Sequence, residues 1–318
     1  MGLPELRQAI SDFYKERHHV DVDPKRIAIT AGGSTALLLS AALTVNDDDE
    51  VLIADPSYPC NRELVRAFGG KVVDVPTSAA TRFHLTPELC KEYWTDRTKA
   101  VMITSPSNPT GTTIAFDTLK AVCDLARERG AWRIVDETYL DLADREPDGS
   151  DVKSVLACDP DAIVCSSFSK FFGMTGWRLG YVSAPEEYIL AMNKIHQHNV
   201  TCAPSFVQKA SIAALRDETD EVEKMVVEYQ RRRDYAVKAI NEIPGLSCRC
   251  PKGAFYIFIN IKDLGISSAK FADYLLEEAY IALVPGDVFG TSGEGYIRMS
   301  FANSYENIVE GVDRMAKA

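Results

Sequence analysis

Residues 165–181 read CSSFSKFFGMTGWRLGY, and this stretch joins two short apolar runs, at 162–166 and 180–184, that predict β-strands. Lys170 stands in the connecting loop among hydroxyls, aromatic rings and glycines, eight residues before Arg178. A solvated loop gains little from so many aromatic side chains. We interpret the stretch as a strand–loop–strand unit that holds an amine near an anionic group.

Similar apolar runs recur along the first two thirds of the chain and alternate with segments of helical periodicity. Further strands are predicted at 26–30, 51–54, 71–75, 99–104 and 131–135, and helices at 62–68, 87–94 and 116–129. This alternation predicts an α/β fold with a mainly parallel sheet and helices on both faces.

The pattern changes in the last third of the chain. A long helix is predicted at 219–240, and after it come strands at 246–250, 254–261 and 296–301 and helices at 268–279 and 305–315. We predict a large domain of residues 1–222 and a smaller C-terminal α+β domain of residues 223–318. Two domains are typical of a chain of 318 residues.

Composition limits the class of protein. The chain is 46% hydrophobic and 25% charged, as in globular proteins, and its net charge of −11 argues against a nucleic-acid partner. The run 231–233, Arg-Arg-Arg, is interpreted as a solvated helix face. Eight cysteines without metal-ligand spacing, no secretory signal and no apolar stretch of membrane length predict a cytoplasmic protein that binds neither membrane nor metal.

Two glycine-containing turns follow predicted strands. Gly33, Ser34 and Thr35 begin a helix, where free N–H groups favour a phosphate, although Gly-Gly is also common as a tight turn. Asn108, in the sequence SPSNPTG at 105–111, lies at the carboxyl end of a predicted strand. Ligands of open α/β sheets bind at such ends, and turn chemistry alone is the other explanation.

Three charged residues carry the remaining chemical signal. Asp136 ends a strand and could face a cationic ring nitrogen with Tyr139 nearby, and no cluster of metal ligands accompanies it. Lys170 needs burial or cationic neighbours to be a nucleophile, because an ordinary lysine is almost wholly protonated at pH 7. Arg298, within an apolar strand, requires a partner: either a structural salt bridge or a substrate carboxylate.

Taken together, these segments resemble the fold-type I, class I/II pyridoxal-phosphate aminotransferases, in particular the aspartate, alanine and aromatic aminotransferases. The matching motifs occur in the family's order over nearly the whole chain: GLPELR at 2–7, GG at 32–33, NPTG at 108–111, DE-x-Y at 136–139, S-x-SK at 167–170, MTGWR at 174–178, GAFY at 253–256 and IRMS at 297–300. The resemblance implies the fold of these pyridoxal-phosphate (PLP) dependent transferases.

The resemblance also implies roles for the matching residues. Lys170 would form the Schiff base with the cofactor and later move the substrate proton, and Asp136 would keep the pyridine nitrogen protonated. Arg298, with Asn108, would bind the substrate α-carboxylate. Tyr139 and Asn108 would also contact the ring oxygen of the cofactor, and Tyr58 would cover the ring face. The residues that would bind the phosphate are Gly33, Ser34, Thr35, Ser167 and Arg178.

The implied activity is a ping-pong transfer of an amino group from an L-amino acid to a 2-oxo acid, by a homodimer. Two alternatives remain open from the sequence: another fold-type I chemistry such as a β-lyase, and a truncated, non-catalytic PLP-binding protein. The chain begins at the GLPELR helix, so we expect the family's substrate-covering N-terminal segment to be lacking. Ser34, where aspartate-preferring relatives can carry a lysine, argues weakly against a dicarboxylic donor.

Overall fold

The computed structural model describes residues 1–146, 149–217 and 219–318. Its helices are α1 (Pro4–His18), α2 (Gly33–Thr44), α3 (Pro59–Ala67), α4 (Pro87–Tyr93), α5 (Phe116–Glu128), α6 (Glu186–Asn199), α7 (Ser205–Arg216), α8 (Thr219–Asn241), α9 (Ser268–Ala279) and α10 (Tyr305–Lys317). Its strands are β1 (Ile27–Thr30), β2 (Glu50–Asp55), β3 (Lys71–Pro76), β4 (Thr98–Thr104), β5 (Trp132–Asp136), β6 (Ile163–Ser167), β7 (Gly180–Ser183), β8 (Tyr256–Asn260), β9 (Val284–Pro285) and β10 (Tyr296–Ser300).

The first seven strands form one sheet in the order β1-β7-β6-β5-β4-β2-β3. Strands β3, β2, β4, β5 and β6 pair in parallel, whereas β7 pairs antiparallel with both β6 and β1. Each of these strands begins and ends within one residue of its predicted position. The prediction of an α/β fold with a mainly parallel sheet is confirmed.

Helices cover both faces of this sheet, so its central strands are buried on both sides. On one face, α1, α4, α5 and α7 contribute to a core that includes Leu6, Leu119 and Val207. On the other, α2 and α6 pack over a second core that includes Leu39 and Met192. Burial on both faces explains why these strands are continuous apolar runs in the sequence.

The C-terminal part has its own three-stranded antiparallel sheet, in the order β8-β10-β9, and a separate apolar core. The predicted strand at 246–250 is wrong: only Ser247 pairs there, through one bridge to Asn260. The side chain of Asn241 explains the difference, because its amide accepts the N–H of Cys248 at 2.9 Å and donates to the Cys248 carbonyl at 3.1 Å. These bonds satisfy the backbone of Cys248 without a partner strand.

The predicted boundary between residues 222 and 223 falls inside helix α8. Val222 and Val226 pack in a small cluster with Tyr139 and Tyr256, whereas the later Ile240 belongs to the C-terminal core. The division into domains 1–222 and 223–318 therefore stays a prediction.

The interpretation of residues 231–233 as a solvated face is wrong for one arginine. Arg231 and Arg232 pair with Glu228 on the outside of α8. Arg233 instead points inward, where it pairs with Asp144 and donates to the Pro251 carbonyl. An arginine within a run of charged helix residues can thus point inward and connect the helix to distant segments. A charge pattern alone does not reveal this.

A buried carboxylate at the end of β2 connects the large sheet to the C-terminal part. Asp55 accepts hydrogen bonds from the hydroxyl of Thr291 at 2.8 Å and from the N–H of Ser292 at 3.1 Å. Arg62 pairs with Asp55 and donates to the Phe289 carbonyl at 2.9 Å. This joint fixes the segment that carries Phe289, whose ring contacts the functional site described below.

A second joint is an ionic cluster that connects the end of α1 to α8 and to the segment that follows Tyr139. Arg17 at the end of α1 pairs with Asp141 at 2.7 Å and with Glu223 of α8 at 2.6 Å, and buried His18 also pairs with Asp141 at 3.2 Å. Burial alone would raise the pKa of Asp141, but the charges of His18 and Arg17 outweigh it and lower that pKa. Burial alone would lower the pKa of His18, but the Asp141 carboxylate outweighs it and raises that pKa.

Asp141→Asn should therefore destabilise the protein by about 2–4 kcal/mol, in a pH-dependent way. The His18 part of the stability is complete below the ordinary histidine pKa of about 6.5 and is lost as pH rises through its raised folded pKa; the Asp141 part is complete above about pH 4 and is lost on acidification. Thermal unfolding of both proteins should show the largest difference near pH 5–6 and a smaller one at pH 8.5.

A His18→Gln protein provides the control for that pH dependence. In this background the effect of Asp141→Asn should vary less between about pH 6 and pH 8.5, because His18 no longer titrates there. The variation that remains belongs to Glu137, whose pKa is raised to about 7 by burial and, to a smaller extent, by the Asp141 charge. An unchanged variation would assign the pH dependence to other residues.

Two observations bear on the compartment predicted from the sequence. Each of the eight cysteines is a free thiol. Among the helices in the described ranges, none has both the length and the apolarity needed to cross a bilayer. The compartment itself stays a prediction.

Candidate active site

A cavity of about 350 Å³ opens where β4, β5 and β6 end, beside the start of α2 and beneath β8 and β10. Ligands of open α/β sheets bind at such strand ends. Of the eleven residues predicted from the sequence, ten line it: Gly33, Ser34, Tyr58, Asn108, Asp136, Tyr139, Ser167, Lys170, Arg178 and Arg298.

Thr35 is the predicted residue that does not line the cavity. Its hydroxyl donates to the Ala31 carbonyl at 3.2 Å, and its N–H donates to the Gly32 carbonyl at 3.2 Å. Both donors of Thr35 are thus used within the helix start, and its contact with a phosphate stays a prediction.

Lys170 lies in the loop after β6, half-buried, with its Nζ 5.8 Å from the centre of the Phe255 ring. Burial lowers its pKa, and the positive charges of Arg178 and Arg298 lower it further, while Asp136 acts in the opposite direction. A lowered pKa increases the neutral fraction of the amine, which is the form that acts as a nucleophile or base.

Asp136 is the last residue of β5 and is buried at the floor of the cavity. One carboxylate oxygen accepts the N–H of Thr138 at 3.0 Å, and burial raises the pKa of the group. The next residue, Glu137, points away, since it accepts the hydroxyl of Ser154 at 2.9 Å and the N–H of Val155 at 2.7 Å. Only Asp136 of this acidic pair therefore faces the cavity.

Two glycines allow close packing at the start of α2: Gly32 leaves room for Arg178, and Gly180 leaves room for the helix start itself. A Cβ on Gly32, whose φ is +89°, would lie 2.5 Å from Nη2 of Arg178, and a Cβ on Gly180 would lie 2.6 Å from the Gly33 nitrogen. Thr35 and Ala36 donate their N–H groups to the Gly32 carbonyl, which leaves those of Gly33 and Ser34 at the helix end. A guanidinium and a helix N-terminus thus converge on one place, which suits an anion.

Ser167 ends β6 beside the corner formed by Arg178 and the start of α2. Its hydroxyl donates to the Leu179 carbonyl at 3.3 Å and accepts the N–H of Ser169 at 3.0 Å. Ser167 therefore holds the loop before Lys170 in place as well as lining the cavity.

Arg298 of β10 lines the cavity from the small sheet. Its guanidinium lies 4.5 Å from the centre of the Tyr256 ring and 4.9 Å from that of Phe289, and its Nη1 donates to Oδ1 of Asn108 at 2.8 Å. Its buried Nε has no hydrogen-bond partner in the part of the chain that the structure describes, and burial lowers its pKa. Such a guanidinium is available to bind a carboxylate.

Tyr58 stands just before α3 at the rim of the cavity, half-buried. Burial raises its pKa, with smaller contributions from Cys60 and Asp136. Its position is compatible with the predicted contact to the face of a planar ligand.

The most important lining residue without a predicted role is Tyr256, which lies in the GAFY motif. It begins β8, and its hydroxyl lies 2.8 Å from that of Tyr139. The alternation of a strand could have indicated it, because Tyr256 and Phe258 share a face of β8 and Phe258 pairs with Arg298. Other lining residues without a prediction are Leu37, Thr104, Thr138, Ser169 and Thr175.

Comparison with known proteins finds one family throughout. The sequence model of "Aminotransferase class I and II" matches residues 1–315. An aspartate aminotransferase of Pyrococcus abyssi is 42% identical over 320 residues, which cover 100% of this chain and 82% of that protein. Aromatic-amino-acid aminotransferase 2 of Thermococcus litoralis is 39% identical over 100% of this chain and 82% of its own length.

Solved structures show the same likeness. The crystal structure of an aromatic aminotransferase from Pyrococcus horikoshii matches with a TM-score of 0.95 and 40% identity. The match covers 99% of this chain and 85% of that one.

Proposed function

The chain belongs to the class I and II aminotransferase family and is a transaminase, and we propose that its cavity binds pyridoxal 5′-phosphate and reacts with L-amino acids and 2-oxo acids in turn. The observation that carries the proposal is the charge arrangement of the cavity. Asp136 lies at its floor, and Lys170 lies over the Phe255 ring. Arg178 lies against Gly32 at the start of α2, and Arg298 lies over the rings of Tyr256 and Phe289. This arrangement matches a ligand set with a cationic ring nitrogen, an aldehyde, a phosphate and a carboxylate.

The phosphate end of the cofactor fits the corner formed by Arg178 and the start of α2. The two cramped glycines, Gly32 and Gly180, support this, because any side chain there would displace Arg178 or the helix start. Arginine forms paired hydrogen bonds with phosphate oxygens, and the N–H groups of Gly33 and Ser34 add further donors.

The ring end fits Asp136. A buried carboxylate with a raised pKa is stabilised by a cation placed against it, and a protonated pyridine nitrogen is such a cation. When bound, the cofactor would supply an electron sink for the charge that develops at the substrate α-carbon. Tyr139 and Asn108 lie where they could donate to the ring oxygen, and Tyr58 could cover the ring face.

Lys170 would hold the cofactor through its Nζ and then act as the base. The incoming substrate amine would release Nζ from the cofactor. The neutral Nζ could then accept the proton from the substrate α-carbon and return it to the cofactor carbon that carried the aldehyde. Its lowered pKa favours this, because an amine that stays protonated cannot accept a proton.

Arg298 and Asn108 would orient the substrate. The free Nε and the remaining N–H groups at the edge of the guanidinium offer donors to an α-carboxylate, and Asn108 already fixes Nη1. Holding the carboxylate at one point fixes the α-carbon over the cofactor and near Lys170.

We also propose a cytoplasmic homodimer. The eight free thiols agree with a reducing compartment. Apolar side chains on and between α6 and α7 support a partner surface: Leu190, Ile195, Val200 and Phe206 are 52%, 40%, 36% and 70% exposed.

The proposal predicts a two-step titration of the purified protein. Added pyridoxal phosphate should bind and give a visible absorption band, and a suitable L-amino acid alone should remove that band and leave a 2-oxo acid. A 2-oxo acid should then restore the band. Absorbance and product analysis measure both steps.

Two outcomes would contradict this proposal in different ways. Protein that binds no pyridoxal phosphate would refute the cofactor assignment. Release of ammonia and a 2-oxo acid without any acceptor would indicate lyase chemistry instead of amino transfer.

A further inference from the structure

Two buried tyrosines meet inside the cavity from different sheets. Tyr139 follows β5 of the large sheet, and Tyr256 begins β8 of the small one. Their hydroxyl oxygens are 2.8 Å apart, and the side chains are 5% and 6% exposed. This is a direct hydrogen bond between the two parts of the chain that form the site.

The direction of this bond follows from counting protons. A phenol has one proton, so a Tyr139 that donates to a ligand oxygen has none left for Tyr256. Tyr256 must then be the donor and Tyr139 the acceptor. Burial raises the pKa of both phenols, so both carry their protons at neutral pH.

The ring of Tyr256 has a second contact that its hydroxyl does not share. The Arg298 guanidinium lies 4.5 Å from the ring centre, on the ring and not at the hydroxyl. The two ends of this side chain can therefore be separated by mutation, because phenylalanine keeps the ring and removes only the hydroxyl.

We infer that Tyr256 is a positioning residue for the transamination: its hydroxyl donates to Tyr139 and so aims and strengthens the hydrogen bond that Tyr139 donates to the ring oxygen of the cofactor. The inference rests on the proposed function. Hydrogen bonds in series polarise one another, and a hydroxyl whose lone pair is engaged is a better donor. Without Tyr256, the Tyr139 hydroxyl could rotate and donate to another acceptor.

Tyr256→Phe tests this through the pH titration of the bound cofactor's absorption band. A ring oxygen that loses part of its hydrogen bond becomes more basic, so the Schiff-base pKa should rise, with an acid dissociation constant about five-fold smaller. The KM for the amino acid should change less than about two-fold, because the ring under Arg298 remains, while kcat falls.

Tyr296→Phe is the matched control. Tyr296 also belongs to the small sheet, where its ring stacks on Phe258 at 4.7 Å, and it does not line the catalytic cavity. Its loss of a hydroxyl should leave the titration unchanged. In a Tyr139→Phe background, Tyr256→Phe should have no further effect on the titration, since the positioned hydroxyl is already absent.

The outcomes separate this inference from the proposed function. If wild-type protein binds no pyridoxal phosphate, the proposed function fails and the inference fails with it. If wild-type protein binds and titrates but Tyr256→Phe titrates identically, the inference alone is refuted. An effect of Tyr256→Phe that persists in the Tyr139→Phe background would equally overturn it.

Discussion

Replacing Lys170 by alanine should lower the rate of the half-reaction by at least about 10⁴-fold, the largest effect that we expect from any single substitution. Two contributions disappear together: the amine that holds the cofactor covalently and the base that moves the proton. Among the described residues that line the cavity, no other lysine is present to replace it. The measurement is the single-turnover change in absorbance after mixing with an amino acid.

The Lys170→Ala protein should still bind pyridoxal phosphate, because Arg178, the start of α2 and Asp136 remain. It should not form a covalent adduct on borohydride reduction, whereas the wild-type peptide containing Lys170 should gain the mass of the reduced cofactor. Lys91→Ala, which removes an exposed lysine of α4, is the control and should behave as wild type. If borohydride instead fixed the cofactor on another lysine of the wild-type protein, Lys170 would not be the residue that binds it.

Replacing Arg298 by leucine should lower kcat/KM for amino acids by about 10²-fold or more, because a buried charged pair with the substrate carboxylate is lost. Cofactor binding should change little, since Arg298 contacts Tyr256, Phe289 and Asn108 and not the corner formed by Arg178 and the start of α2. Stopped-flow measurement of the half-reaction at several amino-acid concentrations gives this ratio. Arg298→Lys should recover only part of the loss, because an ammonium cannot form the paired hydrogen bonds of a guanidinium.

A substrate comparison makes this second prediction specific. A primary amine without a carboxylate should react slowly with wild type and with about the same rate constant in Arg298→Leu. Arg249→Leu, at an exposed position outside the catalytic cavity, should leave both substrates unaffected. An equal loss for the amine and the amino acid would show that Arg298 supports the site and does not bind the carboxylate.

The residues that could be predicted from the sequence are those whose role is fixed by local position. Asp136 ends one strand of a parallel sheet and Asn108 follows the end of another, and ligands bind at that edge, so a strand pattern places them together. Lys170 and Arg178 share one loop between two strands. Their convergence in one cavity needs no knowledge of long-range packing.

The predictions that failed, and the residue that was missed, depend on contacts between distant segments. The strand predicted around Cys248 does not form because Asn241 satisfies the Cys248 backbone. Arg233 turns inward because Asp144 lies opposite, 89 residues earlier. Tyr256 acquires its role from Tyr139, 117 residues earlier. Strand alternation can place Tyr256 on the same face as Arg298, but a single sequence contains no local signal that identifies these distant partners.

The joint at Asp55 and the bond between Tyr139 and Tyr256 have a thermodynamic consequence. The cavity is lined from both sheets, since Asp136 ends β5 and Lys170 follows β6 of the large sheet, whereas Tyr256 and Arg298 belong to β8 and β10 of the small one. A molecule that contacts both groups acts as a reversible cross-link between them, and its binding free energy is added to the free energy that keeps them together. Occupancy of the cavity by cofactor and substrate should therefore raise the free energy of unfolding. The resistance of the chain to unfolding then depends on how much substrate is present.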